Sequence, residues 1–154
     1  MTVIATDGKV IACDSQETGA YTERCAKLYR LTDGRIAGTT GDSGLSLKMI
    51  RYLDGEIGAD EWFWTWGGYG EASLILVGKK HWTNTDGSQE SERGCWIIDS
   101  DSLEEIPARL PAAVGSGSLL AMGAMEAGCS PKKAVKIAIR RDPYCGGPIV
   151  VKTV

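Results

Sequence analysis

Thr-Asp-Gly occurs three times in this chain, as TDGK at 6–9, TDGR at 32–35 and TDGS at 85–88. An Asp-Gly pair tolerates the positive φ angles of a two-residue hairpin turn, so each marks a hairpin where strand-like runs flank it. The first sits between TVIA and KVIACDS, and the second between KLYRL and RIAGTT. The third lies between ASLILVGKKHW and CWIIDS, with more loop around it. About six mostly antiparallel strands are expected. The first hairpin begins at Thr2, where a chain usually frays, so this terminus is expected to be held in place.

Helical periodicity appears in two regions. In GLSLKMIRYL (44–53) the apolar residues Leu45, Leu47, Met49, Ile50 and Leu53 form a helical stripe. GSLLAMGAMEAG (117–128) ends on Gly128, a helix stop, and SPKKAVKIAIRRD follows at once. There Ser130 suits an N-cap and Pro131 the first helical position, with Ala134, Val135, Ala138 and Ile139 on one face. The run PIVVKTV supplies a last strand. Strands, helix, strands, two helices and a strand do not make the alternation of a parallel nucleotide-binding sheet. They predict a layered α+β sandwich over residues 1–154, as one domain.

Composition removes several classes of function. With 17 basic and 20 acidic residues the net charge is −3, and no basic stripe exists to meet phosphates, so no nucleic-acid partner is expected. No apolar run reaches the roughly 20 residues of a membrane span, and the start lacks the basic and apolar regions of a signal peptide. A soluble, cytoplasmic protein is the expectation. The five cysteines (Cys13, Cys25, Cys95, Cys129 and Cys145) show no C-x-x-C spacing and read as reduced, mostly buried thiols. The single histidine, His81, falls in the polar KKHWTNTDG loop, so a two-histidine metal site is impossible and a catalytic histidine would rest on that residue alone. VGSGS lacks the third glycine of a dinucleotide turn, and no phosphate-binding G-x-x-x-x-G-K-[ST] occurs. No metal or cofactor is expected.

Hydrolytic chemistry without histidine or metal leaves a nucleophile served by an amine. An N-terminal threonine holds both, its hydroxyl attacking while its own α-amine accepts the proton. A free α-amine titrates near pH ~7.7–8, where a lysine stays charged. Thr2 would be such a residue once Met1 is removed, and its small side chain favours that removal.

TVIATDGKVIACDS, CAKLYRL and IAGTTGDSG, followed by AAVGSGSLLAMGAMEAGCS and RRDPYCGG, resemble the proteasome β-type subunits and the bacterial proteasome-like peptidases. The resemblance covers 1–54 and 72–154, and compact chains from phage and prophage genomes look most similar. It implies the N-terminal nucleophile hydrolase fold, a four-layer αββα sandwich of two mostly antiparallel sheets flanked by helices. Thr2 matches the family's nucleophile, Asp14 the acid beside it and Lys27 the lysine that sets the hydroxyl's electrostatics. Ser116 and Asp142 match the pair around the terminal amine, and Gly41 the glycine whose N–H faces the oxyanion. Thr18, Thr39 and Ser43 fall where the family lines its substrate groove and first specificity pocket. The resemblance also implies peptide or unfolded-protein substrates, a homo-oligomeric ring and an ATP-dependent unfoldase as partner. Read singly, Asp14 equally caps a turn, Lys27 equally stands on an exposed strand, and Ser116 and Gly41 equally serve turns.

Three departures accompany the resemblance. Cys145 stands where the family has a serine, and thiols bond more weakly. The loop from Thr18 to Lys27 is short. Only one short helix and DEWFWTWGGYG fill the space of two long helices, so a sandwich trimmed by a helix is expected. Read as an extended run, Trp62, Trp64 and Trp66 share one face, either as a plug over bare core or as a subunit interface. Two alternatives to a threonine peptidase stay open. One is a silent ring or scaffold subunit that keeps Met1, and the other an amidase acting on small amides.

Overall fold

A computed structural model of the chain describes residues 2–18, 22–65 and 70–154. Its strands are β1 (Ile4–Thr6), β2 (Val10–Cys13), β3 (Gln16–Thr18), β4 (Thr22–Arg24), β5 (Leu28–Arg30), β6 (Ile36–Gly41), β7 (Ala72–Thr83), β8 (Gln89–Asp99), β9 (Ile106–Pro107), β10 (Ala112–Val114) and β11 (Val150–Thr153). Its helices are α1 (Ser43–Leu53), α2 (Ala59–Thr65), α3 (Ser118–Glu126) and α4 (Pro131–Ile139). One sheet runs β10-β1-β2-β11 and the other β5-β6-β7-β8-β9, while β3 and β4 form a separate hairpin. Every pairing is antiparallel.

Period-2 alternation assigns each strand's side chains to two different cores. On β1 and β2, Ile4, Ile11 and Cys13 face the second sheet, while Ala5 and Ala12 face α3 and α4. On β7, Ile75 and Val77 face the first sheet, while Leu74 and Leu76 pack against α1 and α2. Both sheets are therefore covered on both faces, and the layers run α3/α4, first sheet, second sheet, α1/α2. The αββα sandwich expected from the sequence is the architecture observed. No helix of the described residues is long and apolar enough to cross a membrane.

The turn chemistry repeats as a unit. In all three Thr-Asp-Gly turns the Asp carboxylate accepts the N–H two residues on, from Lys9, Arg35 and Ser88, each at 2.9 Å. Each following glycine has φ between 82° and 89°, where a side chain would be strained. At the starts of α1 and α4 a side chain accepts from a free helical N–H, at Ser130 as expected. Asp42 caps α1 by accepting from Leu45 N–H at 2.7 Å, and Ser130 caps α4 at Lys133 N–H.

Two expectations need correction. DEWFWTWGGYG is not extended through Trp62 and Trp64, because residues 59–65 form helix α2, so a second helix is present ahead of β7. Asp60 and Glu61 in its first turn complement the helix dipole, and helical periodicity replaces the shared face. Trp62 is 1% exposed and stacks obliquely on Tyr52 at 6.3 Å, which is the plug and not an interface. The side chain of Trp64 and all of Trp66 lie outside the described residues. His81 is the second correction. It stands exposed on β7 opposite Ser91, because the β7–β8 ladder continues past the core to Thr83 and Gln89. Those outer residues are polar on both faces, so no apolar alternation announces the strand.

One buried charge cluster ties the second hairpin turn to the segment before β9. Arg35, 4% exposed, grips Glu105 with both terminal nitrogens at 2.9 and 3.1 Å and reaches Asp33 at 2.6 Å. Lys80 joins Glu105 at 2.6 Å, and both cations lie over the Trp96 ring. Burial alone would raise the Glu105 carboxyl, but hydrogen bonds and charge from Arg35 and Lys80 outweigh it and hold it below the usual range. A lowered folded value gives stability that is present above the ordinary 4.5 and lost as the pH falls through the folded value. The denaturation midpoint is therefore expected to drop below pH 4.5, and less steeply in Glu105→Gln, read by denaturant titration across pH. Equal slopes in the two proteins would contradict this.

Candidate active site

The site is built where one end of each sheet meets the other. Beyond the β1–β2 ladder, Asp14 N–H donates to the Val3 carbonyl at 3.1 Å, and Val3 N–H donates back to Asp14 Oδ1 at 3.0 Å. Lys27, just ahead of β5 in the second sheet, sends its Nζ to the same Oδ1 at 2.9 Å and also to the Gln16 carbonyl. Gly146 N–H closes the set on Oδ2 at 3.1 Å. Asp14 is fully buried and Lys27 is 5% exposed, so the turn-cap and exposed-strand readings of these two residues fail. Two charges taken out of water persist only when paired and hydrogen-bonded, as these are.

Thr2 is anchored from the opposite side. Its carbonyl oxygen accepts from Gly117 N–H at 3.3 Å and from Ser116 Oγ at 3.4 Å. Gly115 makes this approach possible, since at φ 94° a Cβ there would lie 2.1 Å from the Thr2 carbonyl oxygen. Ser116 Oγ then meets Cys145 Sγ at 3.6 Å, and Cys145 donates to Asp142 Oδ2 at 3.3 Å. Cys145 thus keeps Ser116 and Asp142 in one chain of contacts, with a thiol as the link. Burial pushes this thiol up to about 11, so it stays protonated and able to donate. Burial alone would raise the Asp142 carboxyl, but bonds from Tyr144 N–H, Ser116 and Cys145 outweigh it and hold it below the usual range.

A cavity of about 260 Å³ opens beside Thr2, lined by Thr2, Lys27, Thr39, Gly41 and Ser43 among others. Gly41 ends β6 at φ 90°, and a Cβ there would meet the Glu71 carbonyl oxygen at 2.1 Å, so the position admits only glycine. Ser43 opens α1, whose N-terminus and its partial positive charge lie against the cavity. Thr18 belongs to β3, and its side chain lies outside the described residues. Residues 19–21 of the short loop lie outside them too.

With this geometry in hand, comparison with known proteins is informative. No protein-family model matches the chain, and no curated protein sequence does. The crystal structure of eukaryotic HslV from Trypanosoma brucei matches with a TM-score of 0.68, covering 99% of this chain and 97% of that one, at 22% identity. The chain has the HslV fold.

At that identity the likeness establishes the fold, and the chemistry rests on the residues themselves. The HslV fold here gathers Thr2, Lys27, Thr39, Gly41 and Ser43 on one cavity and sets Asp14 directly behind Lys27. Ser116 and Asp142 stand on the far side of the Thr2 main chain, linked through Cys145. Sequence reasoning missed Gln16, whose carbonyl accepts from Lys27, and the wall residues Glu17 and Cys25. The carbonyl contact leaves no sequence signal. Glu17 and Cys25 were legible only through their places beside Thr18 and Lys27.

Proposed function

We propose that this chain is a threonine peptidase in which Thr2, exposed by removal of Met1, is the nucleophile. The observation that carries the reading is the buried Asp14–Lys27 pair, aimed at the cavity that also holds Thr2. A buried ion pair contributes little to stability compared with apolar packing. The place of Lys27 on the cavity that Thr2 also lines fits electrostatic duty instead. The HslV fold and the likeness to proteasome-like chains support the same assignment, HslV being a proteasome-like N-terminal threonine peptidase.

The steps follow from the groups present. The Thr2 α-amine takes the proton of its own hydroxyl as Oγ attacks the peptide carbonyl carbon. Lys27 favours the developing alkoxide, and the ion pair with Asp14 holds its Nζ in place. Negative charge gathering on the carbonyl oxygen meets the Gly41 N–H and the N-terminus of α1. The tetrahedral intermediate collapses as the protonated amine gives its proton to the leaving nitrogen. Water, deprotonated by the same amine, then cleaves the ester and restores Thr2. Ser116, Cys145 and Asp142 hold the Thr2 main chain so that amine and hydroxyl keep this geometry.

Assembly into a homo-oligomeric ring fed by an ATP-dependent unfoldase belongs to the same reading. Leu119, 83% exposed, with Leu120 and Met122 on α3, gives an apolar surface suited to a neighbouring subunit. Hydrolysis of a fluorogenic peptide library by protein lacking Met1 is the test. Turnover is expected, lost in Thr2→Ala and retained in part in Thr2→Ser, with a native mass above that of the monomer. Turnover of small amides alone moves the assignment to an amidase. No turnover from protein verified to start at Thr2 leaves a silent subunit.

A further inference from the structure

Among the described residues, one carboxylate lining the cavity beside Thr2 has no cation paired with it. The Lys27 ammonium is committed to Asp14 and to the Gln16 carbonyl. Glu17, half-buried on β3 in the same wall, forms no ion pair among the described residues. The same cavity is also lined by the neutral residues Thr39, Ser43, Ser46 and Leu47. Two neighbours register the carboxylate. Burial raises the Cys25 thiol, the Lys27 ammonium offsets part of that rise, and the charge of Glu17 and its hydrogen bond to the thiol raise it again. The Tyr29 hydroxyl is raised first by burial, then by Cys25 and Glu17.

We propose that Glu17 makes this cavity a pocket for a cationic side chain, so that peptides are cleaved after arginine or lysine. The proposal rests on the peptidase reading and names its substrate class. A guanidinium entering the cavity pairs with the carboxylate by charge-assisted hydrogen bonds in a partly desolvated setting. An apolar side chain strips water from Glu17 and returns no partner, and an acidic one meets repulsion. Discrimination of this kind is strong because the wrong side chain leaves a polar group unpaired.

Two peptides differing only in arginine or its neutral isostere citrulline at that residue give the test. Protein lacking Met1 is expected to favour arginine in kcat/KM by about tenfold or more. The preference disappears in Glu17→Gln, and in Glu17→Lys a glutamate peptide overtakes the arginine one. No arginine preference in the parent protein, or one unchanged in Glu17→Gln, overturns the proposal and leaves peptide cleavage standing. Butylguanidinium reads the pocket without turnover, by shielding Cys25 from iodoacetamide with Cys129 as the reference thiol. Shielding confined to Cys25 and lost in Glu17→Gln supports the pocket even if no peptide is cleaved. Absence of shielding overturns it even if peptides are cleaved.

Discussion

Asp14→Ala is expected to lower the unfolding free energy by about 3–5 kcal/mol, the cost of leaving a buried charge uncompensated. Three donors meet at this carboxylate, and the substitution takes the acceptor from all of them. Lys27 Nζ keeps only the Gln16 carbonyl among the contacts named above, and the Val3 and Gly146 N–H groups lose their acceptor. The loss is a large share of the about 5–15 kcal/mol that holds a domain together. Denaturant titration reads it as a lower midpoint at unchanged slope. Lys27→Met in the Asp14→Ala background is expected to recover part of the loss, because it removes the orphaned cation. A loss below about 1 kcal/mol in the single variant would mean the pair is solvated and not the buried contact seen here.

Gly41→Ala is expected to reduce kcat by about 10²–10³, the effect of removing one oxyanion donor. A methyl at this position lies 2.1 Å from the Glu71 carbonyl oxygen and 2.8 Å from Ala72 Cα, both main-chain atoms that move only with β7. Relief therefore comes from displacing residue 41, and with it the N–H proposed above as the oxyanion donor. Gly34→Ala separates this from simple backbone strain. It shares the positive φ, at 89°, but has nothing within 4 Å of its new methyl. That variant is expected to lose about 1 kcal/mol of stability and no activity. Equal kcat losses in the two variants would contradict an oxyanion role for Gly41.

Legibility in the sequence followed the range of the interaction. The Thr-Asp-Gly turns were legible because Asp and Gly act on their own backbone within two residues, and so was the cap at Ser130. Apolar runs beside those turns carried β1, β2 and β7. The outer β7–β8 hairpin was not legible, since residues 79–83 and 89–94 face solvent on both sides. Helix α2 was missed because three alternating tryptophans mimic a strand, while its real determinant is the bare core beneath Trp62. In the site, Thr2, Asp14 and Lys27 stood out only as a set resembling a known family. The Gln16 carbonyl and the Cys145 bridge depend on tertiary approach across more than ten residues, which no local pattern encodes.

The central claim is that Thr2 carries both the nucleophile and its base. An α′,β′-epoxyketone peptide tests it directly, because its ring closure needs a hydroxyl and a free amine on one residue. Intact mass and peptide mapping after incubation are expected to show a chain without Met1 that carries one adduct on Thr2, absent in Thr2→Ala. A chain that begins at Thr2, stays folded and takes no adduct would contradict the account.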